Sequence, residues 1–164
     1  RPARDPPAKA ARALDDRVLT FPKASASMIG ILLIAHDSLP DSLVQAVTHV
    51  LGSPPVQLDT LSVAASDDPL RLLPAARERV DRLDTGEGVL IFSDIFGASP
   101  CNLACKLIVP GRVEVVAGVN LPMLVRAFTY RSKGLDTMIK KAVSGGCDGV
   151  HHVEVDPIYA APRN

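Results

Sequence analysis

A continuous apolar run, Ile-Gly-Ile-Leu-Leu-Ile-Ala at residues 29–35, constrains the fold more than any other stretch of the chain. It ends on His36, and the turn and helix-start residues Asp37, Ser38 and Pro40 follow at once. An apolar run bounded in this way predicts a strand that is buried on both faces, as in a parallel sheet covered by helices. Ligands of open parallel sheets bind outside the carboxyl ends of the strands. His36 is therefore the first candidate for a functional residue.

The composition favours one domain with an aliphatic core. The chain has 164 residues, of which 47% are hydrophobic and only 4% aromatic, which excludes general disorder. Its 18 basic and 18 acidic residues give zero net charge. Residues 1–27 hold six of the basic and three of the acidic residues, so the remainder is mildly acidic and we expect no nucleic-acid binding. No apolar run approaches the roughly 18 residues of a membrane span.

Three segments divide the chain. Residues 1–27 are rich in Pro, Ala and Arg, and we interpret Met28 as the natural start and the preceding stretch as a mobile or non-native extension. Residues 28–156 form the predicted folded body, and residues 157–164 an irregular tail. The three cysteines lack the spacing of a disulfide framework, so we expect a reducing, cytoplasmic compartment.

Strand and helix signals alternate along the body. The predicted strands are 29–35, 56–63, 89–93, 112–119 and 149–155. The predicted helices are 39–51, 69–84, 99–108, 121–130 and 135–144, with Gly145 and Gly146 as the break that ends the last one. This alternation predicts an α/β fold in which helices cover both faces of a mostly parallel sheet.

Three predicted strands end on polar residues at the same edge of such a sheet. The first ends on His36, the third is followed by Asp94, and the fourth is followed by Asn120. A carboxylate that accepts the proton of one imidazole nitrogen fixes the tautomer and leaves the other nitrogen as a nucleophile. We expect Asp94 to play this role for His36. Asn120 is either a helix cap or a pocket residue, and Asp37 is a second candidate for the pocket.

The segment that follows Asp94 predicts an anion site. Gly97 permits a tight turn, Ala98 follows it, and Ser99 and Pro100 are expected at the N-cap and first position of a helix, where anions bind. An imidazole, a carboxylate and an anion pocket together fit a phosphoryl group carried on histidine. Neither glycine-rich nucleotide motif occurs in the sequence, so we expect a phosphoprotein donor rather than ATP, with no cofactor and no metal.

Three segments closely resemble the mannose-type enzyme IIA domain of the bacterial phosphoenolpyruvate:sugar phosphotransferase system. They are Met-Ile-Gly-Ile-Leu-Leu-Ile-Ala-His36, Gly88-Val-Leu-Ile-Phe-Ser-Asp94-Ile-Phe-Gly-Ala-Ser-Pro-Cys-Asn102 and Val116-Ala-Gly-Val-Asn-Leu-Pro-Met-Leu-Val125. The resemblance spans about residues 28–153 and implies a flavodoxin-like, three-layer α/β/α fold. It implies that His36 takes phosphate from phospho-HPr and passes it to a IIB domain. It also implies that Asp94 orients the imidazole and that Ser99, with Gly97 and Ala98, forms the phosphoryl pocket.

The same resemblance implies a homodimer in which an antiparallel C-terminal strand near 149–155 pairs across the subunits. Contact with a membrane is then expected only indirectly, through a permease complex. Two positions depart from the family pattern, because Asp37 and Ala98 stand where glycines are usual. A carboxylate at Asp37 is unfavourable beside an incoming phosphoryl group unless it points away or caps the helix.

Two other functions remain open on the sequence. One is a regulatory binding protein whose choice of partner depends on phosphorylation of His36, without sugar transport. The other is a flavodoxin-like cofactor site. Flavin loops usually supply stacking aromatic side chains, and Phe96 is the only aromatic residue at the predicted strand ends.

Overall fold

The computed structural model describes residues 27–154. The expectations for the N-terminal extension, apart from Ser27, and for the tail at 157–164 lie outside this range. The described chain forms four strands and five helices. In chain order these are β1 (Gly30–His36), α1 (Leu39–Leu51), β2 (Leu58–Val63), α2 (Pro69–Leu83), β3 (Val89–Ser93), α3 (Ser99–Cys105), β4 (Val113–Ala117), α4 (Leu121–Thr129) and α5 (Leu135–Asp148).

The four strands form one parallel sheet in the order β2-β1-β3-β4. The strand order reverses between β1 and β3, so the point at which open α/β sheets bind their ligands lies between these two strands. Ile34 of β1 pairs with Ser93, the last residue of β3, and His36 pairs with Val63 of β2. This register places His36 beside the segment that leaves β3.

Side chains of the central strands alternate between two cores, one on each face of the sheet. Leu33 and Phe92 pack with α1, α4 and α5, whereas Leu32 and Ile91 pack with α2 and α3 on the other face. All four side chains are completely buried, and each such burial contributes about 1.5–3 kcal/mol. The predicted three-layer α/β/α architecture is confirmed.

The break predicted at Gly145 and Gly146 is wrong, because α5 continues through both glycines to Asp148. Close packing against α4 explains why small residues stand here. A Cβ atom at Gly145 would lie 2.6 Å from the Cβ of Arg126, and one at Gly146 would lie 2.6 Å from the Cε of Met123. The glycines therefore permit the approach of two helices instead of ending one.

The antiparallel strand predicted at 149–155 is not formed in the described part of this segment. Residues 150–154 are exposed and belong to no strand, and residue 155 lies outside the described range. An alternating sequence becomes a strand only when its backbone groups find ladder partners, and residues 150–154 have none among the described residues. His151 and His152 are exposed on this segment.

Arg131 closes the amino edge of the sheet, opposite the candidate site. Its Nε donates to the carbonyl of Ile29 at 2.6 Å, and its Nη1 and Nη2 donate to the carbonyls of Val56 and Gln57 at 2.5 Å each. The side chain also lies over the ring of Phe128, with 5.4 Å between the guanidinium carbon and the ring centroid. The guanidinium thus joins the starts of β1 and β2 to the segment between α4 and α5.

Candidate active site

His36 and Asp94 meet at the carboxyl edge of the sheet, as predicted. The Oδ2 atom of Asp94 lies 2.7 Å from Nδ1 of His36 and also accepts the backbone N–H of His36 at 3.1 Å. The other carboxylate oxygen, Oδ1, accepts the backbone N–H of Ile95 at 2.9 Å. Asp94 is therefore held by three hydrogen bonds, and its position fixes both the ring and the backbone of His36.

The hydrogen bond to Asp94 leaves one ring nitrogen of His36 open. An ionised carboxylate can only accept a hydrogen bond, so we assign the proton of the neutral ring to Nδ1. Nε2 then carries a lone pair, and no hydrogen bond within residues 27–154 occupies it. The side chain of His36 is 39% exposed while that of Asp94 is only 10% exposed. The arrangement leaves a nucleophilic nitrogen on a partly exposed ring, supported by a largely buried carboxylate.

Asp94 remains ionised in this setting. Burial raises the pKa of its carboxyl group, but hydrogen bonds from the His36 ring, the His36 amide and the Ile95 amide lower it by more. The pKa of Asp94 therefore lies below its ordinary value. An ionised Asp94 holds the Nδ1 proton and can stabilise positive charge that develops on the ring.

The predicted anion loop follows Asp94, but α3 begins one residue earlier in the sequence than expected. Ala98, in an extended conformation, is the N-cap of α3, so Ser99 and Pro100 are the first two helical residues. The expectation of Ser99 as the N-cap is wrong. As a result, no capping bond engages the exposed Ser99 hydroxyl within the described residues. Gly97 has a φ of 80°, which a glycine adopts without steric cost.

Asp37 lies on the exposed side of His36 and does not cap α1. Its backbone has a φ of 47°, and its N–H donates to the carbonyl of Val63 at 3.1 Å. Ser38 is the N-cap of α1, and no side chain caps that helix. The carboxylate of Asp37 is exposed and makes no hydrogen bond or ion pair within the described chain.

Asn120 reaches the same edge but is engaged elsewhere. Its Oδ1 accepts the backbone N–H of Met123 at 2.9 Å as the cap of α4, and its Nδ2 donates to the carbonyl of Gly146 at 3.1 Å. The backbone beside it supports the site, because the N–H of Gly118 donates to the carbonyl of Asp94 at 3.0 Å. The cap is thus observed, while a pocket role for Asn120 stays a prediction.

Ile95 and Phe96 form an apolar rim beside the site, which the sequence motifs did not predict. Ile95 and Phe96 directly follow Asp94, and their side chains are 59% and 85% exposed. The sequence does contain a signal for this rim, since two large apolar residues stand in a turn between a buried strand and a glycine. Large exposed apolar side chains beside a reactive atom favour contact with a protein partner. Across residues 27–154, no cluster of three or more His, Cys, Asp or Glu residues is arranged to hold a metal ion.

Comparison with known proteins identifies the family. The family model described as the fructose IIA component of the PTS system matches residues 30–143. The mannose-specific EIIAB component of the PTS system from Escherichia coli strain K12 is 29% identical over 136 residues, which are 81% of this chain and 42% of that protein. The chain thus spans less than half the length of this curated relative.

Solved structures share the fold. The mannose/sorbose specific IIA subunit from Enterococcus faecalis superposes with a TM-score of 0.70 at 19% identity, covering 78% of this chain and 96% of that one. The EIIA component from Streptococcus agalactiae has a TM-score of 0.68 at 22% identity, covering 76% and 97%. The flavodoxin-like fold is confirmed. The helices within residues 27–154 include none with the length and hydrophobicity needed to cross a membrane.

The chain belongs to the fructose- and mannose-type enzyme IIA family of the sugar phosphotransferase system, whose members are phosphotransferases that carry a phosphohistidine.

Proposed function

We propose that this chain is a phosphocarrier whose His36 accepts a phosphoryl group from phospho-HPr and passes it to a IIB domain. The observation that carries the proposal is the 2.7 Å contact between Asp94 Oδ2 and His36 Nδ1, which leaves Nε2 of a partly exposed side chain without a hydrogen bond among the described residues. Membership of the enzyme IIA family supports the same role. The regulatory alternative is not favoured, because the matched relatives are described as components of sugar phosphotransferase systems.

The transfer is an in-line displacement on phosphorus. The Nε2 lone pair of His36 forms the new P–N bond while the P–N bond of the donor's phosphohistidine breaks, and the bonding electrons return to the donor ring. The Nδ1 proton stays in its hydrogen bond to Asp94 throughout, so no proton transfer is needed. Asp94 stabilises the positive charge that develops on the His36 ring as the bond forms.

We assign the binding of the phosphoryl oxygens to the loop before α3 and to Ser99, the first residue of that helix. The Ser99 hydroxyl makes no hydrogen bond among the described residues and can donate to an equatorial oxygen. Gly97 leaves the approach open, since a Cβ atom there would meet nothing within 4 Å. The amide of Ala98 donates to the carbonyl of Ile95 at 3.2 Å, and this contact must open before Ala98 can bind phosphate.

We further propose that the protein acts in the bacterial cytoplasm as a homodimer. The named relatives are bacterial proteins. Support for self-association comes from apolar side chains outside the active site that no described element covers. Val50 of α1 is 52% exposed, Val143 of α5 is 41% exposed, and Val150 is 76% exposed. Contact with a membrane then occurs only through a permease complex.

Replacement of the histidine tests the proposal directly. With phosphoenolpyruvate, enzyme I and HPr, wild-type protein should take up one phosphoryl group, and mass spectrometry should locate it on His36. The His36→Ala variant should remain unlabelled because it lacks the acceptor nitrogen. His49→Ala is the matched control, since His49 is exposed on α1 and should be labelled like the wild type only on His36. Full labelling of His36→Ala would refute the assignment.

A further inference from the structure

The loops that surround His36 carry negative charge only. The carboxyl-edge loops, defined as residues 37–38, 64–68, 94–98 and 118–120, follow the four strands at this edge. They contain four aspartates and no lysine or arginine. The first turns of the helices that follow add Asp41 and one basic residue, Arg71. These loops and first turns therefore offer little positive charge to a phosphoryl group on His36.

The Arg71 side chain stands beside one of these aspartates. Its Nε lies 3.9 Å from Oδ2 of Asp68, and Oδ1 of Asp68 accepts the backbone N–H of Leu70 as the cap of α2. Asp67 has only a backbone partner, because its Oδ2 accepts the N–H of Ala64 at 2.8 Å. No cationic side chain within the described residues pairs with Asp67 or Asp37.

Asp37 is the charge closest in sequence to the acceptor. Its left-handed backbone, with a φ of 47°, is one that glycine adopts freely and other residues adopt at a cost. The chain accepts this cost without gaining a helix cap or an ion pair within the described range. The N–H of Asp37 donates to the carbonyl of Val63 at 3.1 Å, which holds the backbone of Asp37 at the carboxyl edge, directly after His36. The Asp37 carboxylate therefore does not stabilise the fold, and contact with a partner explains a negative charge at this position.

The expected effect of that charge follows from Coulomb's law. A phosphoryl group on Nε2 of His36 adds nearly two negative charges, and the covalent geometry of adjacent residues keeps it within about 10 Å of the Asp37 carboxylate. In solvent at low ionic strength, such repulsion changes a rate or an equilibrium by about threefold to fivefold. A cation brought to Asp37 by a partner would remove the repulsion and replace it with attraction.

We infer that Asp37 is a specificity-determining residue, which makes phosphoryl transfer at His36 depend on a partner that brings an arginine or lysine to its carboxylate. The inference rests on the proposed function and names the chemistry of the partner. A phosphoprotein with a basic side chain beside its phosphohistidine is accepted, and one with an acidic rim is rejected. A small phosphoryl donor, which has no such side chain, meets only the repulsion.

Two donors and one variant test this inference. Phosphoramidate phosphorylates His36 as its own P–N bond breaks and ammonia leaves, whereas phospho-HPr is the protein donor. The Asp37→Asn variant keeps the size of the side chain and its tolerance of the left-handed backbone. At low ionic strength, this variant should be labelled about threefold to fivefold faster than the wild type by phosphoramidate. Phospho-HPr should label it more slowly than the wild type, by a similar factor.

The reversal of sign between the two donors is the decisive result. Both differences should shrink in about 0.5 M salt, where exposed charges are screened. Asp81→Asn is the matched control, because Asp81 is exposed near the end of α2 at the opposite edge of the sheet and should change neither rate. Equal rates for wild type and Asp37→Asn, or a change of the same sign with both donors, would overturn the inference. Failure of phospho-HPr to label even the wild type would instead overturn the proposed function, and the inference with it.

Discussion

The two edges of the sheet each hold a basic side chain against the ends of strands, and they use it in opposite ways. At the amino edge, every branch of the Arg131 guanidinium donates to a backbone carbonyl, and the residue is 9% exposed. At the carboxyl edge, Asp94 occupies one nitrogen of His36 and leaves the other without a hydrogen bond among the described residues. A side chain whose nitrogens are all hydrogen-bonded stabilises the fold. A side chain with one atom held and one atom free can react.

The comparison also shows that a shifted pKa does not by itself mark a functional site. Burial lowers the pKa of Arg131 to about 10, and the group remains protonated at neutral pH. No carboxylate within residues 27–154 is bonded to it, so three carbonyl oxygens and the ring of Phe128 compensate its burial. Asp94 also has a lowered pKa, but it supports a neighbour that is exposed and incompletely bonded. The free atom distinguishes the two edges, and substitutions can test this.

Removal of the amino-edge guanidinium should have the largest effect on stability. In the Arg131→Met variant, the carbonyls of Ile29, Val56 and Gln57 lose their side-chain donor, and the free energy of unfolding should fall by about 3 kcal/mol or more. Urea denaturation followed by circular dichroism measures this loss. At a temperature where the variant is folded, phospho-HPr should label His36 at the wild-type rate.

The control for Arg131→Met removes a positive charge from an exposed position nearby. Lys133 is exposed two residues further along the chain, so Lys133→Met should leave the unfolding free energy unchanged within about 0.5 kcal/mol. An Arg131→Met variant that is as stable as Lys133→Met would mean that the three hydrogen bonds do not hold the amino edge together.

Substitution of the carboxyl-edge support should lower the rate of transfer instead. In Asp94→Asn, the amide can no longer enforce a proton on Nδ1 or stabilise positive charge on the ring. The rate of phosphorylation by phospho-HPr should therefore fall about a hundredfold or more. Single-turnover labelling, followed by rapid quenching, measures this rate without interference from later steps.

The matched control for Asp94→Asn is Asp136→Asn. Asp136 is an exposed residue of α5 whose Oδ2 lies 2.7 Å from Nζ of Lys140, and its replacement should leave the labelling rate unchanged. If Asp94→Asn kept a rate within about threefold of the wild type, the orienting role of Asp94 would be wrong. Another group would then have to keep Nε2 of His36 unprotonated.

The carboxyl edge was predictable from sequence because a general rule connects it to the chain. Parallel strands end at one edge, so His36 and Asp94 were expected to meet although 58 residues separate them. Nothing comparable marks Arg131, whose three carbonyl partners lie 74 to 102 residues away in sequence. The break that the sequence predicts at Gly145 is wrong, because the tight approach of α4 leaves no mark in the local pattern. The N-cap predicted at Ser99 lies one position too late, since Ala98 serves as the N-cap.

The smallest predicted effect concerns acid stability at the carboxyl edge. The pKa of folded Asp94 is lowered relative to about 3.9 in the unfolded chain, so the folded state favours the ionised carboxylate. Its stabilisation is complete above the unfolded value and is lost as the pH falls through the lowered folded pKa. Wild type should therefore exceed Asp94→Asn in unfolding free energy by more at about pH 5 than at about pH 2. Asp84→Asn, which removes another carboxyl with a lowered pKa, should show the same narrowing. If the difference in unfolding free energy between wild type and Asp94→Asn were the same at both pH values, the hydrogen bonds to His36 would not favour the charged carboxylate. Arg131 and His36 would then differ only in how exposed their side chains are.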